Sequence, residues 1–250
     1  DISQDARDAQ LSADVYVKTF STPIPEDATG TWTFTADVRR TSVIDDGSDD
    51  GLEVTEGAFN PIYSTAVTAD GAGPRREVVA MDKCNVCHDV LTLHGGQRFN
   101  VQECLVCHRP NNSDVARRPP EEAPPESVDM RYLIHRIHTG LELVNDFTVY
   151  GFGGTPHNYN HVGYPGDRRN CEGCHAEGTY GVPLPEGTQE VITLRDWYSP
   201  MQPAAASCLA CHSSVDAAAH AYVNNAPFGE ACAACHGEYR EFSVDRVHAR

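Results

Sequence analysis

The 250-residue sequence has no cysteine outside one recurring pattern, neither cysteine nor histidine before residue 81, and no run of 18 apolar residues. The first absence argues against a disulfide framework, whose cysteines would not each need a histidine behind them. The second keeps metal chemistry by soft ligands out of the first third. The third excludes a bilayer-spanning helix. Positive charge is scarce as well: 19 Lys and Arg face 36 Asp and Glu, a net charge of −17. Such acidity argues against a nucleic-acid partner. It suits cationic partners or mineral surfaces, and for most of these residues it serves solubility.

What is present is Cys-x-x-Cys-His, five times: Cys84/Cys87/His88, Cys104/Cys107/His108, Cys171/Cys174/His175, Cys208/Cys211/His212 and Cys232/Cys235/His236. Two thiols at this spacing reach the two vinyl groups of one haem, and the adjacent imidazole is then held against the iron. At this composition chance would supply roughly 0.02 copies of the pattern, so the sequence predicts five covalently attached haem c groups. Structural zinc would need a second ligand pair close to each first one. Haem c is attached after export, and the sequence shows neither an initiator Met nor a signal segment. The chain is therefore expected to be a mature or excised form found outside the cytoplasm, its signal or lipid anchor gone.

Two domains are expected, 1–80 and 81–250. In the first, Ala13 to Phe20, Thr31 to Val38 and Ile62 to Thr68 alternate like strands and are separated by turn residues, which predicts a small antiparallel β domain. This third carries 15 acidic and 6 basic residues. Its acidic segment Asp45 to Asp50 is a candidate Ca²⁺ loop without the full EF-hand pattern, and the competing reading is a solvated turn. The second domain should be mostly irregular with short helices, its porphyrins supplying much of the buried apolar surface. A Pro-rich linker, Arg117 to Pro125, is expected to run extended over the surface. Beyond it Ser127 reads as the N-cap of a helix that carries Asp129 in its first turn, His135 and His138 in its body, and Gly140 at its end. The spacing of the motifs suggests two haem pairs, first with second and fourth with fifth, around a central haem.

Seven histidines lie outside the motifs: His94, His135, His138, His157, His161, His220 and His248. Five bis-histidine irons would consume five of them, and such irons pass electrons without an open coordination position. His135 and His138 share a helix flank but point about 60° apart, so they would serve different haems. His94 stands before two glycines that let the backbone approach a porphyrin. His220 follows an apolar run, and His248 is third from the end of the chain. These five are the expected distal ligands. His157 and His161, in a Gly-rich loop, are the spares, and Met81, Met130 and Met201 the alternatives that would raise a potential.

The sequence closely resembles one pentahaem domain, with its preceding β domain, of the outer-surface decahaem cytochromes of the OmcA/MtrC family. The resemblance is carried by Arg75-Arg-Glu-Val-Val79, Cys84-Asn-Val-Cys-His88 with Leu93-His-Gly-Gly-Gln-Arg98, and Cys104-Leu-Val-Cys-His-Arg-Pro-Asn111. It continues through Leu133-Ile-His-Arg-Ile-His-Thr-Gly140, Tyr164-Pro-Gly-Asp-Arg-Arg-Asn-Cys171 and Asp245-Arg-Val-His248. It covers residues 60–250 well and the first 60 only in general character. It implies a split-barrel-like β domain, a pentahaem domain of bis-His haems with distal His94, His135, His138, His220 and His248, and electron export to minerals, soluble shuttles or partner cytochromes at the outer-membrane surface. Family members of this type carry ten haems, so five imply a half-length relative, an excised domain, or a subunit that assembles with its own copies, for instance into a filament.

An electron conduit is thus the leading expectation, and the chain is not expected to be an enzyme. The alternative is a multihaem reductase of the nitrite or hydroxylamine type, which needs one open haem. Such pentahaem enzymes typically carry one Cys-x-x-Cys-Lys site, and this sequence has none. A third reading treats the haems as folding staples and the β domain as an adhesion or docking module.

Overall fold

Short β-prone runs broken by turn chemistry form short antiparallel ladders, and in the computed structural model the first third is built of such pairs. The structure describes residues 4–7, 9–12, 15–68 and 73–248. Strand β1 (Gln10–Ser12) pairs antiparallel with β2 (Val15–Val17), β3 (Thr31–Thr35) with β6 (Ile62–Ala66), and β4 (Arg39–Ile44) with β5 (Leu52–Gly57). The first two residues of the strand expected over Ala13 to Phe20 lie outside the described residues. Among those described, the three ladders remain separate two-stranded sheets. The acidic segment is the loop of the β4–β5 hairpin. There Asp45 Oδ1 accepts from the Gly47 amide at 2.9 Å, and Asp46 Oδ1 accepts from the Ser48 amide and hydroxyl at 3.0 and 2.6 Å. These carboxylates close their own turn. No group of three or more His, Cys, Asp or Glu suited to a metal ion is gathered among the described residues, so the Ca²⁺ reading of this loop is not upheld.

The chain divides into two compact units: residues 1–76 with 93–99, and residues 77–92 with 100–250. The boundary expected at residue 80 therefore misses an excursion, because Leu93 to Phe99 belongs to the first unit although both of its flanks belong to the second.

The second unit has short helices: α1 (Met81–His88), α2 (Val101–Cys107), α3 (Met130–Thr139), α4 (Pro203–Leu209), α5 (Val215–Val223), α6 (Ala233–His236) and α7 (Val244–Val247). Hairpins β7 (Thr148–Tyr150) with β8 (Pro156–Asn158) and β9 (Asn225–Ala226) with β10 (Gly229–Glu230) complete it. Its core is small, formed by Tyr132 and Leu133 of α3, Ala206 and Leu209 of α4, Ala218 of α5, and Phe147, Val191 and Met201 from the loops.

Helix α3 starts later than the sequence suggests. Asp129 is the N-cap, accepting from the Tyr132 amide at 3.1 Å, because Ser127 is held extended in a bridge to Ser113. Gly140 ends the helix at φ 45°, and a Cβ there would collide with the Val162 carbonyl. The Pro-rich linker is not wholly a surface strand either. Arg118 turns inward, its Nε 3.0 and 3.1 Å from the Asp114 carboxylate oxygens, and its guanidinium lies 4.7 Å from the Tyr150 ring centre.

Candidate haem-binding site

None of the ten cysteines is joined to another in a disulfide, and four of the five motifs lie on or against helices, α1, α2, α4 and α6, while the third occupies a single 3₁₀ turn at Cys171–Gly173. In three of the five motifs the two cysteines are not equally enclosed. In the first, Cys84 is half-buried, with Sγ 3.5 Å from the Ala80 carbonyl, whereas Cys87 is exposed. In the fifth, Cys232 is half-buried and Cys235 exposed. Cys87, Cys107, Cys208, Cys211 and Cys235 are exposed, and the other five are half-buried. The protein brings Cys87 within electrostatic reach of Cys174 and Tyr164, and places Cys235 at the surface on the four-residue helix α6. The physical reason is that a thioether needs a thiol presented to a vinyl group, so the wall on that side is the porphyrin's to provide.

Across the rings of four motifs stand histidines from elsewhere in the chain. Ring centres are 6.2 Å apart for His88 and His138, 6.0 Å for His135 and His175, 5.9 Å for His212 and His248, and 6.2 Å for His220 and His236. An iron bound by two imidazoles needs about 2.0 Å on each side plus about 1.1 Å from nitrogen to ring centre, or about 6.2 Å between rings. The four separations fit an iron at each midpoint.

The ring chemistry fits as well. His108 Nδ1 lies 2.8 Å from the Val128 carbonyl and His236 Nδ1 3.0 Å from the Phe242 carbonyl. A carbonyl only accepts, so each Nδ1 carries the proton and Nε2 presents its lone pair, the tautomer a metal requires. Desolvation pushes His135 down to about 4 and, chiefly by the same cause, His138 and His212 below the ordinary imidazole range. Neutral rings are the form that ligates.

Residues 76–249 match the family described as outer membrane cytochrome MtrC/MtrF-like, domains II/IV. The chain belongs to this family. A multiheme cytochrome MtrC of Shewanella baltica (strain OS185) is 27% identical over 175 residues, which is 68% of this chain and 20% of that protein. The crystal structure of the outer membrane decaheme cytochrome OmcA is similar at a TM-score of 0.46 and 22% identity, over 79% of this chain and 27% of that one. The chain thus spans about a fifth of the length of the curated relative.

In this MtrC/MtrF-like chain the contacts of the motifs depart from sequence order at motif one. Motif one lies against motif three: Val79 bridges His175, and Lys83 Nζ donates to the Glu172 and His175 carbonyls at 2.7 and 2.6 Å. Cys84 and Cys87 are both within electrostatic reach of Cys174. Motif three in turn approaches motif four through Cys171 and Cys211, and motif four approaches motif five through Cys208 and Cys232 and through His212 and His236. Helix α3 ties this row together, since its His138 faces motif one and its His135 motif three. Motif two adjoins the N-terminus of α3, where the His108 carbonyl accepts from the Met130 amide at 3.2 Å. Sequence spacing pairs the fourth motif with the fifth, as these contacts do, but it does not reach the approach of motif one to motif three, because Cys-x-x-Cys-His is a local pattern and that adjacency is tertiary.

His94 sits in the first unit with a left-handed backbone, φ 54°. His157, on β8, and His161 are exposed. Met201 is buried in the core and Met130 opens α3.

Behind the rings lies a set of buried charges that no motif announced. Arg136, 2% exposed, is on α3 between the two histidines, pairs with Asp196 at 3.3 Å and lies over the rings of Tyr132 and Phe147 at 5.1 and 4.9 Å. Asp196 also accepts from the Tyr132 hydroxyl at 2.8 Å. Glu126, buried, has Arg195 at 3.6 Å, and burial pushes its carboxyl up to about 7 against the pull of Arg136, Arg195 and Arg118. Only α3's helical period marked Arg136 in the sequence, as a charge on the inward flank.

Proposed function

We propose that the chain is an electron relay of five bis-histidine c-type haems. Their proximal ligands are His88, His108, His175, His212 and His236, and their distal ligands His94, His135, His138, His220 and His248. Their thioethers are the ten motif cysteines, the exposed Cys87 and Cys235 included. The observation that carries this reading is the set of four ring pairs at 5.9 to 6.2 Å, each joining a motif histidine to a non-motif one. When bound, haem supplies one-electron chemistry at ferric and ferrous iron. The protein's part is to fill both axial positions, keep the imidazoles neutral and set the spacing.

That spacing favours transfer. Ligands three apart on one helix have Cβ atoms about 5–6 Å apart, and about 5.5 Å separates each from its iron, so the irons served by His135 and His138 are at most about 17 Å apart. The porphyrins take up much of that span. The contacts among motifs make the row one, three, four, five, with motif two beside α3.

Work in extracellular respiration follows from the family, with a place at the outer-membrane surface or outside the cell rather than in the periplasm. The partners would be other cytochromes or an outer-membrane conduit, and the acceptors minerals or soluble shuttles. The split-barrel-like form of the β unit and self-assembly of copies into a filament belong to the same reading. No helix among the described residues is long and apolar enough to cross a membrane. The reductase alternative gains nothing from the four ring pairs.

Electron paramagnetic resonance of the oxidised protein tests the proposal. All-low-spin iron is expected, without affinity for cyanide or nitrite. A reproducible high-spin ferric fraction that binds either anion would replace the relay by an enzyme.

A further inference from the structure

Asn60 is the single buried residue among the described residues of the first unit, at 1% exposed, and it is polar. A β unit ordinarily fills its centre with apolar side chains. Here an amide stands there, and its bonds say what it holds. Nδ2 donates to the Gln97 carbonyl at 2.9 Å and the Ala36 carbonyl at 3.2 Å, with Asp37 Oδ1 at 3.4 Å, while Oδ1 accepts from the Phe99 amide at 2.7 Å. One side chain thus grips the segment 93–99 on both sides of Arg98.

Two further ties act on the same segment. Arg98 donates from Nε and Nη2 to Asp37 Oδ2 at 3.3 and 3.1 Å. Gly57, the last residue of β5, lies so close that a Cβ on it would stand 2.5 Å from the Gly96 carbonyl and 2.7 Å from the Phe99 ring. Between the ties and the start of the segment, His94, Gly95 and Gly96 follow one another at φ 54°, 79° and 77°. Glycine accepts such angles freely, but a histidine does so only where its surroundings over-determine it. Asn60, Asp37 and Gly57 are those surroundings.

We infer that Asn60 is a positioning residue: by fixing the segment 93–99 it sets the backbone from which His94 presents its imidazole to an iron. The inference rests on the reading of His94 as a distal ligand. An imidazole on a loosened segment spends part of its time off the iron. That iron then turns high-spin when ferric and opens to carbon monoxide when ferrous.

The haem-loaded protein is compared with its Asn60→Ala and His94→Ala variants by electron paramagnetic resonance and carbon monoxide titration. His94→Ala should convert one haem of five to high-spin. Asn60→Ala should raise carbon monoxide occupancy at that same haem by about tenfold over the parent, leave the other four low-spin, and return to the parent spectrum on addition of imidazole. A parent-like spectrum for Asn60→Ala beside a high-spin haem in His94→Ala overturns the positioning role and leaves the ligand reading standing. A low-spin His94→Ala overturns both. Should Asn60→Ala unfold the β unit, as read by far-ultraviolet circular dichroism, the high-spin fraction must equal the unfolded fraction. Low-spin iron throughout such a sample overturns the inference equally.

Discussion

Removing the carboxylate of Asp196 should be among the most damaging single changes in the haem-bearing unit. Asp196→Ala leaves the Arg136 guanidinium, 2% exposed, without its partner at 3.3 Å, and strips the Tyr132 hydroxyl of its acceptor at 2.8 Å. Breaking a buried pair from one side costs about 3–5 kcal/mol, because a charge stays behind in a medium that cannot solvate it. The faces of Tyr132 and Phe147 beneath the guanidinium offset a little of that loss. With a urea slope of about 2–3 kcal/mol/M, the unfolding midpoint should fall by about 1–2.5 M. The assay is a urea titration followed by circular dichroism and by the Soret band, which reports the imidazoles on α3. Replacing both partners by apolar residues, Arg136→Met with Asp196→Leu, should recover most of the loss, since such swaps are often neutral. An Asp196→Ala midpoint within about 0.3 M of the parent would refute the reasoning, because the pair would then contribute no more than an exposed one.

Glu126 gives the unit a pH dependence of defined sign. Its carboxyl is raised to about 7 by burial, so between about 4.5 and 7 the folded state keeps a proton that the unfolded state releases. Stability is full below that window and falls as pH rises through it, by up to about 3 kcal/mol; Glu126→Gln should flatten the profile, as urea midpoints at pH 5 and pH 8 will show. His248→Ala should turn one iron high-spin and able to bind carbon monoxide while haem content stays at five, and an unchanged spectrum would hand the role to His157 or His161. The imidazole planes meet at 16° for His135 and His175, but at 74° and 86° for the pairs at motifs four and five. Near-parallel planes split the iron d orbitals more than crossed ones, so one rhombic and two strongly anisotropic low-spin signals are expected, and five indistinguishable signals would contradict these angles.

The haem attachment sites can be read directly because their chemistry is covalent and local: two thiols and an imidazole within five residues. The exposure of Cys87 and Cys235 is not legible in the same way, since spacing fixes what a thiol can reach and says nothing of which side the protein covers. Helix α3 is legible because its period and its glycine stop lie within one segment. Its cap falls two residues beyond the expected one because Ser127 is drawn into a bridge with Ser113, a pairing that no local rule contains. Strands β4 and β5 escape the pattern where Arg39-Arg40 and Glu53 to Glu56 interrupt the apolar alternation. They pair in spite of that, Arg40 lying opposite Glu56 with its Nε 2.8 Å from the carboxylate. Composition alone puts Arg118 at the surface, whereas Asp114, four residues earlier, draws it inward. The excursion of 93–99 into the first unit is out of reach, since the residue that captures it, Asn60, lies more than thirty positions away.

The stretch His135-Arg-Ile-His138 works as a ruler. In the proposed relay two irons hang from one rigid rod at a separation fixed by the pitch of an α-helix, so they share a mechanical fate. A twist of α3 that pulled one imidazole away would swing the other as well, and one residue inserted between them would turn the second ring through about 100° and strand its metal. Neither junction partner can be detuned by backbone motion alone. Divergence within this stretch is therefore confined to the residues between the rings, where Arg136 already has its own commitments, and the hand-over between the two haems should be among the slowest parts of the chain to change.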